Sequence, residues 1–106
     1  MASAFVQGIV KQNPVAVFAK SYCPYCAKAK QLLESQKVDF YYADLDQNPD
    51  MNKIQEYFQE LTGAKTVPRV FIGGTCIGGY DATKALHDQG KLIPAIKEAG
   101  GKFKGA

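Results

Sequence analysis

Two cysteines separated by two residues, Cys23 and Cys26, follow an apolar run and open a segment with helical spacing. The run, Val15 to Ala19, is continuous rather than alternating, which indicates a strand buried on both faces. The two thiols therefore lie at a predicted strand-to-helix junction. Residues at i and i+3 share a helix face, so the two sulfur atoms can meet. They can close a small disulfide ring, or both can bind a metal.

The position of each thiol predicts a different role. A helix N-terminus carries unpaired N–H groups and a partial positive charge, which favour the thiolate form of Cys23. Lys20 adds a nearby cation, and Pro24 suits the first helical turn because its missing N–H has no partner there. Cys26 lies one turn inside the helix. We expect Cys23 to be the exposed attacking thiol and Cys26 the more buried resolving thiol.

Composition and charge exclude several classes of protein. The 106 residues are enough for one domain, and the net charge of +3 comes from scattered lysines rather than from a basic stripe that would bind nucleic acid. Apolar runs are too short to span a membrane, and no secretion signal is visible, so a cytoplasmic location is expected. Three cysteines and one histidine do not favour a structural disulfide framework or a zinc site within one chain.

Periodicity predicts an α/β fold with four strands. A crossover through the dithiol helix makes the first two strands parallel, and a Gly-Gly turn makes the last two antiparallel, which gives a mixed four-stranded sheet with helices on both faces. A flexible tail is expected over about 101–106. The predicted helices cover 3–12, 24–36, 51–61, 81–89 and 92–99, and the predicted strands cover 15–19, 40–45, 69–72 and 75–77.

A second motif, Thr66-Val67-Pro68, precedes the third predicted strand. A proline has no N–H to donate, and a cis bond before it would leave the preceding backbone free to bond an extended ligand. The alternative is a trans proline that opens an edge strand. The residues alone leave both open.

A third motif, Gly78-Gly79-Tyr80-Asp81, opens the next predicted helix. Two glycines allow close backbone approach, and the helix N-terminus suits an anion, while the Asp81 carboxylate suits an ammonium group. A site that accepts both a negative and a positive charge fits the head group of an amino acid, which carries a carboxylate and an ammonium. The alternative is an ordinary turn with Asp81 as the N-cap.

These three motifs, in this order and spacing, resemble a dithiol glutaredoxin over residues 3 to about 100. The resemblance implies a thioredoxin-like fold and a single domain over residues 1–106. It implies a glutathione-dependent thiol-disulfide oxidoreductase that reduces glutathione mixed disulfides and protein disulfides through Cys23 and Cys26. Glutathione would be the co-substrate, regenerated by glutathione reductase, and the protein would act as a monomer. No metal is expected, although some glutaredoxins hold a [2Fe–2S] cluster between two chains, and Pro24 argues against that here.

The resemblance also implies a glutathione groove between the second and third motifs. This sequence departs from many members of the family at Ala82, where a second acidic residue is common. Cys76, on the predicted edge strand, is interpreted as a packing residue, with a regulatory thiol as the alternative. The implied glutathione-binding residues are Lys20, Tyr25, Gln55, Thr66, Val67, Pro68, Gly79, Tyr80 and Asp81.

Overall fold

The computed structural model describes residues 2–105. A 3₁₀ turn, Leu45–Gln47, links the third strand to the third helix. Within the described range, no helix is long and apolar enough to cross a membrane. The helices are α1 (Ala2–Gln12), α2 (Pro24–Ser35), α3 (Met51–Thr62), α4 (Tyr80–Asp88) and α5 (Leu92–Glu98), and the strands are β1 (Val15–Ala19), β2 (Val38–Asp39), β3 (Tyr41–Asp44), β4 (Arg69–Ile72), β5 (Thr75–Gly78) and β6 (Lys102–Phe103).

The main sheet has the strand order β3-β1-β4-β5. β1 runs parallel to β3, with Val17 opposite Tyr42, and the connection between them includes α2. β4 is antiparallel to both β1 and β5. The predicted mixed four-stranded sheet is confirmed, and all five residues of β1 are buried, as its continuous apolar character indicated.

Each face of the sheet carries its own core, because successive strand residues point to opposite faces. On one face, Val17 and Val70 pack with residues of α2 and α5. On the other face, Phe18 and Phe71 pack with residues of α1 and α3. The helices therefore cover both sides of the sheet, as predicted.

Three phenylalanines form the centre of the second core. The rings of Phe18 and Phe58 lie 5.2 Å apart between centroids, and Phe71 meets Phe18 edge-on at 5.6 Å. All three side chains are essentially inaccessible to solvent. The cluster joins α3 to the two central strands and so fixes the position of the segment that follows α3.

The tail contains a short strand that the sequence did not predict. Lys102 and Phe103 form β6, which pairs with β2 in a small second sheet, with Phe103 opposite Val38. The ring of Phe103 packs against the first core, and the Lys104 amide donates to the Lys37 carbonyl over 2.7 Å. This short strand could not be predicted from periodicity, because glycines and lysines surround its single apolar residue, Phe103. Residue 106 lies outside the described residues.

Some helix faces also differ from those predicted. The apolar spacing of the predicted helices 51–61 and 81–89 places Leu61 and Ala85 on their inward faces. In the structure Leu61 is 47% exposed, and Ala85 is exposed too. Thr83 is instead fully buried, and its hydroxyl donates to the Gly79 carbonyl over 2.9 Å. A satisfied hydroxyl is compatible with burial, which a hydrophobicity pattern does not reveal.

Phe58 and Leu61 provide a matched test of the second core. Phe58→Ala removes a fully buried ring and should lower the free energy of unfolding by about 3–5 kcal/mol. Leu61→Ala, one turn along α3, should change it by no more than about 0.5 kcal/mol. Urea denaturation followed by circular dichroism measures both, and equal losses would contradict the assigned orientation of α3.

Candidate active site

Cys23 caps helix α2 with its sulfur atom. Its backbone is extended (φ −97°, ψ 115°), and its Sγ accepts a hydrogen bond from the Cys26 amide over 3.3 Å. Pro24 occupies the start of the helix, as predicted. An N–H group directed at sulfur stabilises negative charge on it, and the helix dipole acts in the same direction. The half-buried Cys23 is therefore placed as a nucleophile.

Cys26 is fully buried on the inner side of α2. Burial, together with a hydrogen bond to the Cys23 side chain, raises the pKa of the Cys26 thiol to about 12. The Cys26 thiol therefore stays protonated near neutral pH while Cys23 carries the accessible sulfur. All three cysteines, including Cys76, are free thiols. The predicted division into an accessible and a buried thiol agrees with this geometry.

The loop before Cys23 is held by a carboxylate that sequence analysis missed. Asp46 accepts two hydrogen bonds from Ser21, one from its amide at 2.9 Å and one from its hydroxyl at 2.5 Å. These bonds lower the pKa of the Asp46 carboxyl below its usual value. The Cys23 amide also donates to the Lys20 carbonyl over 3.2 Å, which closes the loop. Ser21 and Asp46 are 25 residues apart in the chain, so no local pattern pointed to their pairing.

The second motif reaches the nucleophile directly. The Val67–Pro68 peptide bond is cis, which settles the alternative that the residues left open. The Val67 carbonyl lies 3.8 Å from Cys23 Sγ. Gln55, on α3, donates from its side-chain amide to the Lys65 carbonyl over 3.0 Å. Gln55 is therefore attached to the segment that leads into this motif.

The third motif packs closely against the second. A Cβ atom on Gly79 would lie 3.3 Å from the Pro68 carbonyl oxygen, which is a tight contact. Gly78 has a positive φ of +118°, and a Cβ there would lie 2.9 Å from the Cβ of Ala82. Glycine at both positions allows the start of α4 to approach β4. Asp81 lies in the first turn of α4, and the N-cap is Gly79 rather than Asp81.

A cavity of about 380 Å³ lies between these two motifs. Cys23 and Cys26 do not line it, but Cys23 contacts its Val67 wall. Lys20 and Gln55, also predicted to bind glutathione, do not line it either. The cavity is lined by seven of the residues that were predicted to bind glutathione, namely Tyr25, Thr66, Val67, Pro68, Gly79, Tyr80 and Asp81. Two further residues, Arg69 and Ala82, complete the lining.

Two tyrosines and a lysine form one side of the cavity mouth. The rings of Tyr25 and Tyr80 lie 6.2 Å apart between centroids. The Lys28 ammonium lies 5.0 Å from the Tyr25 ring centre and 5.9 Å from that of Tyr80, within cation–π range. The apolar spacing of the predicted helix 24–36 places Lys28 on the side that faces water, so this spacing did not point to the contact. The position of Lys28 on α2, three residues after Tyr25, was the available signal.

Arg69 is a further residue whose position the sequence did not reveal. It is only 8% exposed, and its Nε donates to the Pro68 carbonyl over 3.3 Å. No carboxylate pairs with its guanidinium among residues 2–105, where the ion pair found is Lys84–Asp88. Its burial between β4 and the start of α4 depends on tertiary structure, because it is the first residue of an otherwise apolar strand.

Within residues 2–105, no group of three or more histidine, cysteine, aspartate or glutamate side chains is arranged to hold a metal ion. The described residues of one chain therefore present two thiols and a polar groove as their candidate chemistry.

This fold and this site define a class. A mixed four-stranded sheet with a dithiol capping the helix after its first strand, opposite a cis-proline, is a thioredoxin-like arrangement. The family model described as Glutaredoxin matches residues 15–77. A glutaredoxin of Solanum lycopersicum is 50% identical over 94% of this chain and 93% of its own length. Glutaredoxin-C2 of Arabidopsis thaliana is 48% identical over 94% of this chain and 90% of its own length.

The structural comparison agrees with the sequence comparison. The crystal structure of a buckwheat glutaredoxin–glutathione complex superposes with a TM-score of 0.91 at 42% identity, over 94% of this chain and 91% of that one. The chain belongs to the glutaredoxin family. It is a glutathione-dependent thiol-disulfide oxidoreductase with a thioredoxin-like fold.

The environments of the two thiols predict unequal reactivity. In the folded protein at pH 7.5, iodoacetamide should modify Cys23 roughly 100-fold faster than Cys26. At pH 8 only about one Cys26 side chain in ten thousand is ionised, and that fraction rises about tenfold per pH unit. Peptide mapping by mass spectrometry measures both rates, and denatured protein, with equally exposed thiols, is the control. Equal rates in the folded protein would contradict the assignment.

Proposed function

We propose that this protein reduces both glutathione mixed disulfides and protein disulfides by a dithiol mechanism that uses Cys23 and Cys26. The observation that carries the proposal is the asymmetry of the pair. Cys23 is half-buried with an N–H directed at its sulfur, whereas Cys26 is fully buried with a pKa raised to about 12. One thiol is prepared to attack, and the other is kept protonated until the first has reacted.

The first step is nucleophilic attack by Cys23 on a substrate disulfide. With a glutathionylated protein, the Cys23 sulfur bonds to the glutathione sulfur, and the protein thiolate leaves and takes a proton. A second glutathione then attacks this mixed disulfide, which releases glutathione disulfide and restores the Cys23 thiol. Alternatively, Cys26 loses its proton and attacks the Cys23 sulfur of the mixed disulfide. The Cys23–Cys26 bond forms, the bond from Cys23 to the bound sulfur breaks, and glutathione or the reduced protein substrate leaves as a thiolate that takes up a proton. The two residues lie one helical turn apart, so this closure needs no rearrangement of the sheet.

Glutathione is proposed to bind in the cavity beside Cys23. The backbone of Val67 would pair with the cysteinyl unit, supported by Thr66 and Pro68. The N–H groups of Tyr80 and Asp81 at the start of α4 would donate to the γ-glutamyl carboxylate. The Asp81 side chain would accept from its ammonium group, with Gly79 permitting the close approach.

The glycyl end of glutathione is proposed to lie toward Lys20 and Gln55, and Tyr25 would cover the tripeptide. Lys20 belongs to the loop that positions Cys23, and Gln55 bonds the Lys65 carbonyl next to Thr66. Both residues therefore lie close to the groove although neither lines the 380 Å³ cavity. The complex of the buckwheat glutaredoxin with glutathione supports glutathione as the ligand of this site.

The cellular setting of the reaction is also proposed. Glutathione reductase would supply electrons through glutathione, and the protein partners would be glutathionylated or disulfide-containing proteins. A reducing compartment keeps thiols free, and three unpaired cysteines suit the cytoplasm. Fractionation of cells that express the tagged protein tests the location, and sedimentation at equilibrium tests the proposed monomer. Visible absorption of freshly purified protein would reveal a cluster-bridged dimer instead.

Single cysteine variants test the dithiol mechanism. Cys23→Ser should abolish turnover of a small glutathione mixed disulfide, because it removes the nucleophile. Cys26→Ser should keep that turnover within about threefold and lose reduction of a protein disulfide. NADPH consumption coupled through glutathione reductase measures the first reaction, and thiol labelling of the substrate measures the second. Loss of both activities in Cys26→Ser would refute the division of roles.

Asp81 provides a test of the binding mode. Asp81→Asn keeps the shape but removes the charge that would meet the γ-glutamyl ammonium, so KM for glutathione should rise roughly fivefold with little change in kcat. Asp88→Asn, at the other end of α4, removes a carboxylate paired with Lys84 and should leave KM unchanged. If both variants behaved alike, a general charge effect would replace the proposed contact.

A further inference from the structure

A second cavity, of about 570 Å³, shares Arg69 with the glutathione groove but is otherwise lined by different residues. It is bounded by α1, the end of α3 and the edge strand β5, and Cys76 is part of its wall. The proposed mechanism uses neither this cavity nor Cys76. Its size falls in the range of roughly 300–1,000 Å³ typical of small-ligand sites.

Strand geometry places Cys76 and Arg69 on one face of the sheet. Cys76 is directly opposite Phe71 across the β4–β5 pair, and directly opposite residues share a face. Arg69 precedes Phe71 by two residues and therefore points the same way. Both Cys76 and Arg69 line the second cavity. The thiol is half-buried, so it is open to a reagent that enters there.

Among the polar groups of this cavity, the Arg69 guanidinium has no acidic partner in the described part of the chain. The Gln7 side chain donates to the Tyr57 hydroxyl over 2.9 Å, and the Thr62 hydroxyl bonds the carbonyls of Phe58 and Ala64. Arg69 is more than nine-tenths buried, yet only its Nε has a hydrogen-bond acceptor among residues 2–105. Its other N–H groups keep some access to solvent, because no fully buried side-chain nitrogen among residues 2–105 lacks a partner. Carboxylate is the group that this fork of N–H donors fits.

We infer that Cys76 is a modification site, where it forms a mixed disulfide with an anionic tripeptide thiol of the glutathione type. Arg69 binds a carboxylate of the added group. The oxidant is glutathione disulfide, which the proposed reaction releases. The Cys76 thiolate attacks one sulfur of glutathione disulfide, a new sulfur–sulfur bond forms, and the old one breaks. The departing glutathione thiolate takes the bonding electron pair and a proton from water.

The test isolates Cys76 in the full chain. In Cys23→Ser/Cys26→Ser, Cys76 is the one remaining cysteine. Glutathione disulfide should add one glutathionyl group, located at Cys76 by peptide mass spectrometry. Adding Arg69→Gln to this variant should slow the addition about fivefold, whereas Arg69→Lys, which keeps the charge but loses the fork of N–H donors, should slow it less than Arg69→Gln does. Lys97→Gln, which removes an exposed charge on α5, should have no effect.

A neutral disulfide, 2-hydroxyethyl disulfide, separates charge recognition from folding and access. It should modify Cys76 at the same rate whether or not the variant carries Arg69→Gln. If it reacts but glutathione disulfide does not, the anionic site is refuted. If neither probe modifies Cys76, the thiol is inaccessible and the inference fails. Equal rates of glutathione disulfide addition with and without Arg69→Gln would also overturn it.

Discussion

The hydrogen bond from the Cys26 amide to the Cys23 sulfur joins the chemistry of this chain to its fold. A helix N-terminus needs an acceptor for its free N–H groups, and side-chain oxygens of Ser, Thr, Asp or Asn usually provide it. Here a sulfur takes that place. The same contact therefore completes the helix and stabilises charge on the nucleophile. Since Ala29 and Leu33 are buried along α2, the position of the sulfur depends on how this helix packs on the sheet.

Neighbouring strands fix the two walls of the groove that is proposed to bind glutathione. β1 leads into the loop that carries Cys23, and β4, which follows Pro68, pairs with β1 along Val15–Phe18. The distance between nucleophile and groove is thus set by one strand pair in the middle of the sheet. Asp46 adds a second constraint, because its bonds to Ser21 tie the same loop to the segment after β3. Such a site is largely formed before any ligand arrives, which lowers the ordering cost of binding.

Much of this arrangement could be predicted from the sequence, because it depends on local patterns. The continuous apolar run indicated β1, helical spacing indicated α2 and α3, and paired glycines indicated the β4–β5 turn. Features that depend on distant contacts could not be predicted. The Ser21–Asp46 pair joins two loops, and β6 consists of one aromatic residue beside a lysine. The burial of Arg69 depends on Gly79, at the start of α4, which lies close to its guanidinium. A charged residue at the start of a strand, such as Arg69, is predicted to be exposed unless its neighbours in space are known.

Three cysteines in one chain show how environment assigns chemistry to a single residue type. Cys23 has a helix N-terminus, Cys26 has the closed interior of a core, and Cys76 has an edge strand beside a buried cation. Arg69 lines both cavities. An anion bound on the Cys76 side would reduce the positive potential on the glutathione side, since two carboxylates would then share one charge. The proposed modification of Cys76 would therefore weaken glutathione binding in the first cavity through Arg69.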